Sequence, residues 1–300
     1  MSGILLEVKK KIHSFKGTRK MTKAMELVAA SKMRSFQRRS VASRTFAWDL
    51  VHLLRANFSA LQSHPLIHAP EKGPVLFVLY TSDKGLCGGL NSDLEKALLQ
   101  SPQWLNCKPE DRLLITFGKK SYTYAVYNHI PVEQHFENVS EQLTPVEALA
   151  YVHTILHIWE SKRCSQVFMV TPFYKNPFVY YPQVQTILPI TLDSLSTLLG
   201  PEPKPNPIFA LGTDYMLFEP TLESVAETLV DQLVFSLFFS AFLELKATEY
   251  SSRMVAMKNA TDATDRILDN LTLTLNKARQ QSITAELADL VNSSEAVSQS

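Results

Sequence analysis

Residues 221–300 contain neither proline nor glycine, and residues 1–64 contain no proline and only two glycines, Gly3 and Gly17. Proline removes a backbone donor and clashes with the preceding turn, and glycine costs about 1 kcal/mol in a helix interior. Their absence leaves nothing to interrupt a helix at either end of the chain. At 1.5 Å per residue the last eighty residues can span roughly 120 Å and residues 4–60 about 85 Å, with Gly17 the one weak point. Cysteine is scarce as well. Cys87, Cys107 and Cys164 are scattered and form no C-x-x-C pair, which excludes a disulfide framework and points to a reducing, intracellular setting. Long apolar runs are missing too: Leu233–Leu243 is closed off by Asp231 and Glu244, well short of the ~20 residues that cross a bilayer, and reads as buried helix. Met1–Lys11 carries charges but no apolar h-region, so no signal peptide or export is expected.

What is present is unevenly distributed. All sixteen prolines fall between Pro65 and Pro220. The formal net charge of +1 hides a basic front: residues 1–60 carry thirteen Lys and Arg against Glu7, Glu26 and Asp49, a balance of +10 that leaves −9 for the remainder. Along this front segment Val8, Ile12, Phe15, Met21, Met25, Val28 and Phe36 follow three- and four-residue steps, an apolar stripe on a charged rod. Near the other end Leu268, Leu271, Leu275 and Ala278 keep a 3-4-3 beat, after which the stripe is expected to shift by one position to Ile283, Leu287 and Leu290. Two narrow seams separated by a whole domain pack most economically on each other.

The middle alternates strands and helices. Val75–Tyr80 leads into a Gly-rich turn and a helix over Asp93–Leu99; Leu113–Phe117 is a second strand followed by Gly118 and another short helix. Val146–Glu160 has helical spacing behind Pro145, Gln166–Thr171 reads as a buried strand, and Phe178–Tyr181 and Val184–Ile190 are two further strand-like pieces. Pro201–Pro207 reads as a surface connector. The expected fold is α/β: a long antiparallel coiled coil of N- and C-terminal helices (1–64 and 221–300) plus a central Rossmann-like βαβ domain (65–220).

No catalytic, cofactor-binding or metal-binding site emerges. Gly85-Leu86-Cys87-Gly88-Gly89-Leu90-Asn91 sits where backbone N–H groups cradle a phosphate, but it matches neither G-x-G-x-x-G nor G-x-x-x-x-G-K-[ST], so it reads as a tight strand-to-helix turn. His153 and His157 have helical metal spacing with no acid between them, and His64 and His68 flank a loop without a carboxylate cluster. Asp83 and Lys84 adjoin the turn without a second acid or base, a pattern that usually means capping. The basic helix suits either a polyanion or an acidic protein surface. Its aromatics are few (Phe15, Phe36, Phe46, Trp48), which favours a protein partner over the alternative of a basic coiled-coil module on nucleic acid or anionic membrane.

Three blocks carry a resemblance. Thr22-Lys23-Ala24-Met25-Glu26-Leu27-Val28-Ala29-Ala30-Ser31-Lys32-Met33, then Thr81–Asn91, then Glu249–Asp262 continuing into Asn276–Leu287, closely resemble the signature segments of the γ subunit of F-type ATP synthases. The resemblance implies a non-catalytic rotor that binds no cofactor. Its coiled coil stands inside an α3β3 ring of α and β subunits, and its middle domain meets the ε subunit and the ring of c subunits. It implies that Met25 faces the lever loops of the β subunits, and that Arg253, Arg279, Gln280 and Thr284 couple or bear the shaft. It also implies proton-driven ATP synthesis at a cell membrane, with the chain peripheral on the cytoplasmic face of a bacterial inner membrane and no nucleic acid bound. The regulatory cysteine pair of plant chloroplast relatives has no counterpart here, so no thiol switch is expected.

Overall fold

A computed structural model describes residues 2–55, 66–67, 69–70, 72–139, 142–191, 195, 199, 219 and 221–298. His64, His68 and the Pro201–Pro207 connector lie outside the described residues. The chain divides into two compact units, Met1–Ala29 with Arg253–Ser300, and Ala30–Ser252. Two helices run through both: α1 (Ser2–Arg55) and α6 (Leu222–Ser298).

In the first unit the two helices form an antiparallel pair. The Arg19 guanidinium bonds the Asp265 carboxylate, and Thr22 Oγ1 lies 2.8 Å from Thr261 Oγ1, so one helix ascends as the other descends. On α1 the covered positions are Val8, Ile12, Phe15, Thr22, Met25 and Ala29. Facing them on α6 are Met257, Thr261, Thr264, Leu268, Leu271, Leu275 and Ala278. Phe15, Thr22 and Ala29 stand seven apart, so the seam follows the heptad beat of a coiled coil.

Two details of the expected stripes differ. Met21 and Val28 are more than half exposed, because the heptad seam passes through their neighbours Thr22 and Ala29. On α6 the seam does not shift to Ile283, Leu287 and Leu290. It ends near Ser282, and those three side chains are exposed. The register explains it: with Arg19 opposite Asp265 and Thr22 opposite Thr261, Ser282 falls level with Ser2, where α1 begins. Gly17 sits mid-helix with open space around it. Gly17→Ala is therefore expected to raise stability by about 0.5–1 kcal/mol in a denaturant titration of the full chain, since only backbone entropy changes.

The second unit is built on a five-stranded sheet of order β3-β2-β1-β4-β5, with β1 Val75–Tyr80, β2 Arg112–Phe117, β3 Gln134–Phe136, β4 Gln166–Asn176 and β5 Val179–Leu188. The β1/β2, β1/β4 and β2/β3 ladders are parallel and β4/β5 is antiparallel. The parallel part follows from the crossover helices α2 (Leu90–Gln100), α4 (Lys119–Tyr127) and α5 (Pro145–Ser161); α3 (Pro102–Asn106) is a single short turn. The two strand-like pieces expected over 178–190 are one continuous strand through Pro182, which is tolerated because β5 is an edge. The three-residue β3 carried no readable alternation. The start of α5 is set by a capping box, Thr144 with Glu147.

Leu90, Leu94 and Leu98 of α2 pack with Trp104 and Ala125 on Phe77, Leu79, Leu114, Phe168 and Val170 of the sheet. On α6, Phe242 meets Phe117 of β2 at 5.1 Å and Tyr151 of α5 at 6.2 Å between ring centroids. Part of α6 is long and apolar enough by length and composition to cross a bilayer, but Leu233, Val234, Leu237, Phe238 and Phe242 are buried inside this unit, as a core helix requires.

Candidate functional site

In an open α/β sheet, ligands bind beyond the carboxyl ends of the strands where the strand order reverses. Here that point lies between β1 and β4, and the chain fills it with its own groups. Tyr80, the last residue of β1, donates its hydroxyl to Glu249 Oε2 of α6 at 3.3 Å. In the following turn Asn91 ties the loop down: its Oδ1 accepts from Ser82 N at 3.0 Å, and its Nδ2 donates to Ser82 Oγ at 2.9 Å and Cys87 Sγ at 3.4 Å. Asp83 Oδ1 accepts the backbone N–H of Lys119 at 3.0 Å and of Asn138 at 3.2 Å. A carboxylate of the chain thus sits at the amino end of α4, where a bound phosphate would otherwise be stabilised. Asp83 is a cap, as its sequence context indicated, and the Gly-rich segment is a tight turn with Leu86 and Gly88 at positive φ.

Beside this turn lies a set of buried charges that sequence reasoning missed. Lys246 and Glu249 are buried one turn apart on α6, Glu244 is partly buried on another side of the helix, and no local pattern marked them. Glu244 pairs with Arg44 of α1 at 2.6 Å and accepts the N–H of Tyr174 at 3.1 Å. Lys246 Nζ lies 3.5 Å from Glu249 Oε2 and donates to the carbonyl of Val139 at 3.4 Å. Burial, then the neighbouring Glu249 carboxylate, pushes the Tyr80 phenol well above its ordinary range, so it stays a donor.

Glu95 on α2 is a second buried acid. Burial raises its carboxyl from an ordinary 4.5 to about 7, with the Lys120 ammonium pulling it partly back. A raised carboxyl favours the fold while protonated, so this contribution is present below about 4.5 and lost as pH rises through about 7. Glu95→Gln is expected to remove that part of the pH dependence. Urea titrations of both proteins between pH 4.5 and 8 check it: the variant's advantage should grow with pH and level off above 7. Parallel curves would exclude the assignment.

The residues singled out from the resemblance are placed as follows. Met25 is partly covered in the helix pair and Arg253 is half-buried. Arg279, Gln280 and Thr284 are exposed on adjacent turns of α6, with Thr284 Oγ1 donating to the Gln280 carbonyl at 3.0 Å. Ile283 between them and Leu287, Leu290 and Val291 beyond them form an exposed apolar end. Lys9, Lys10, Lys16, Lys20 and Lys23 are exposed on α1. His153 and His157 are exposed on α5, and among the described residues no group of three or more His, Cys, Asp or Glu is gathered to hold a metal.

A family model described as ATP synthase matches residues 4–297. The chain is 31% identical over 296 residues to a protein of Dichelobacter nodosus named ATP synthase gamma chain, with 97% of this chain and 98% of that protein covered. The chain belongs to the ATP synthase gamma-chain family. A protein of Methylibium petroleiphilum with the same name is 32% identical, again with 97% and 98% covered. Among solved structures, this gamma-family chain resembles a chain of the Tetrahymena thermophila mitochondrial ATP synthase central stalk and c-ring at 27% identity and a TM-score of 0.59, covering 80% of this chain and 99% of that one. A chain of the Euglena gracilis mitochondrial ATP synthase shares the fold at 16% identity and a TM-score of 0.64, covering 99% of this chain and 95% of its own.

Proposed function

We propose that this chain is the central-stalk rotor of an F-type ATP synthase, without catalytic residues of its own, which couples proton-driven rotation to conformational change at catalytic sites on the β subunits. The observation that carries the reading is an antiparallel helix pair with a basic exposed face, in a chain matched to the family over residues 4–297. The partners are the α and β subunits of an α3β3 head, the ε subunit and the c-ring. The seat is the cytoplasmic face of a bacterial inner membrane, with the chain peripheral to it. The division at residues 64 and 220 is a functional one, with the terminal segments as shaft and the middle as the part that receives the drive.

An asymmetric shaft presents a different side to each site of a threefold ring, so each site has its own conformational equilibrium and nucleotide affinity. Moving a site from 1:99 to 99:1 requires about 5.5 kcal/mol of differential contact energy, which a stiff pair of helices transmits better than one. Met25 and Arg253 act on the sides of the shaft. Arg279, Gln280 and Thr284, with the apolar end beyond them, bear it in the ring, and the exposed lysines of α1 slide past acidic lever loops. A nucleic-acid reading is disfavoured because, of the four aromatics of α1, Phe36 and Trp48 are buried and only Phe46 is well exposed, too few to stack successive bases.

The test is a pull-down with tagged chain, assaying ATP hydrolysis on the chain alone and on the recovered complex. No turnover is expected from the chain alone and strong turnover from the complex. Comparable hydrolysis by the isolated chain would overturn the rotor reading.

A further inference from the structure

We infer that Lys246, Glu249 and Tyr80 form a register pin, a set of positioning residues that holds α6 at one angular setting on the sheet and resists its rotation under load. The inference rests on the rotor reading, because only a part that carries torque needs such a joint.

Lys246 and Glu249 are about 95% buried, three residues apart on α6. Their charges meet two other segments of the second unit, the end of β1 through the Tyr80 hydroxyl and the loop after β3 through the Val139 carbonyl, and pair with each other across one turn. The ammonium also sits 5.5 Å from the centre of the Tyr80 ring, where a cation is attracted to the aromatic face. Nearby directional contacts point the same way. Glu244 takes Arg44 from α1 and the Tyr174 amide from β4, and the Ser251 hydroxyl donates to the Pro177 carbonyl in the β4–β5 connection.

Buried ion pairs are poor stabilisers: replacing both members by apolar residues of similar size is often neutral or favourable, while removing one strands the other. Cohesion of this core is already supplied by side chains such as Phe238 and Phe242. What the pair adds is direction. Rotating α6 by one residue turns each side chain by about 100°, which would keep the Lys246–Glu249 pair but take Glu249 from the Tyr80 hydroxyl and Lys246 from the Val139 carbonyl, whereas a ridge of apolar side chains repacks. The sheet side of the pin leads directly into the Asn91-tied turn, so a twist on the sheet is passed to α6 through bonds that do not slip.

The experiment uses the full chain assembled with its partner subunits in sealed vesicles, and reads the ratio of ATP-driven proton uptake to ATP hydrolysis. The triple variant Tyr80→Phe/Lys246→Met/Glu249→Leu, which also removes the hydroxyl that loss of Glu249 would strand, is expected to assemble and to melt about as wild type does, yet to lose about threefold or more of that ratio. The conservative Lys246→Arg variant should hold it. Tyr80→Phe alone, which removes one hydroxyl, should lower the ratio by a smaller factor and serves if the triple variant folds poorly. An unchanged ratio in both overturns the pin. On the chain alone, the triple variant should exchange the backbone amides of β1 and of residues 240–252 faster than wild type without melting lower. Equal exchange overturns the pin whatever the assembly does. Failure of the wild-type assembly to pump while still hydrolysing ATP would count against the rotor reading instead.

Discussion

Gly118→Ala is expected to cost more than about 3 kcal/mol, the largest effect of any glycine substitution among the described residues. Gly118 has φ +88°, in the left-handed region that L side chains rarely adopt. A Cβ there would stand 2.0 Å from the Thr81 carbonyl oxygen and 2.8 Å from its carbon, both backbone atoms. Neither side can retreat. Thr81 N donates to the Phe117 carbonyl at 2.8 Å, Gly118 N donates to the Phe136 carbonyl at 2.8 Å, and Thr81 Oγ1 accepts from Ser121 N at 2.6 Å. The comparison is Gly88→Ala, where φ is +62° but nothing lies within 4 Å of the added carbon. Backbone strain alone predicts about 1–2 kcal/mol there. Chemical denaturation of both variants separates the two contributions, and equal losses would mean that the clash at Gly118 is relieved by movement.

Phe242→Ala should remove about 3–5 kcal/mol in the same measurement. The side chain is 1% exposed and joins three elements: Phe117 of β2 at 5.1 Å, Tyr151 of α5 at 6.2 Å, and Phe238 one turn back on α6 at 6.4 Å. Phe117 itself stacks on Phe136 of β3 at 4.7 Å. Truncation therefore opens a cavity between rings that belong to separate segments and cannot close it together. Phe242→Leu, which keeps most of the volume, should lose only about 1–2 kcal/mol. A loss below 1 kcal/mol for alanine would show that α6 is not packed on the sheet through this ring.

The two long helices were legible because punctuation is a local property: a segment without proline and with little glycine needs no partner to reveal that it can run unbroken. β1, β2 and α5 were legible for a similar reason, being bounded by Gly, Pro and capping residues that act within a few positions. The seam was less so. Period counting favoured the large apolar residues Met21, Val28, Ile283, Leu287 and Leu290, whereas the helix pair covers Thr22 and Ala29 and ends near Ser282. Which side chain is covered depends on the partner opposite, and close approach of two helices favours small residues at the contact.

The buried charges were illegible for a deeper reason. Nothing local in the sequence marks Lys246 and Glu249 as interior, and only the convergence of Tyr80 and Val139, more than a hundred residues away, makes them an interior cluster. Asp83 is intermediate. Its role as a cap could be anticipated, but its partners Lys119 and Asn138 could not.

By itself, then, the sequence determined the helical ends, the α/β middle and the family, because these rest on residue-by-residue conformational preferences and ordered motifs along the chain. The tertiary structure alone decided the antiparallel β5 edge, the filled crevice beyond β1, the true seam and the polar joint on α6. Each of these requires groups distant in sequence to meet, and a backbone preference carries no information about which distant group will arrive.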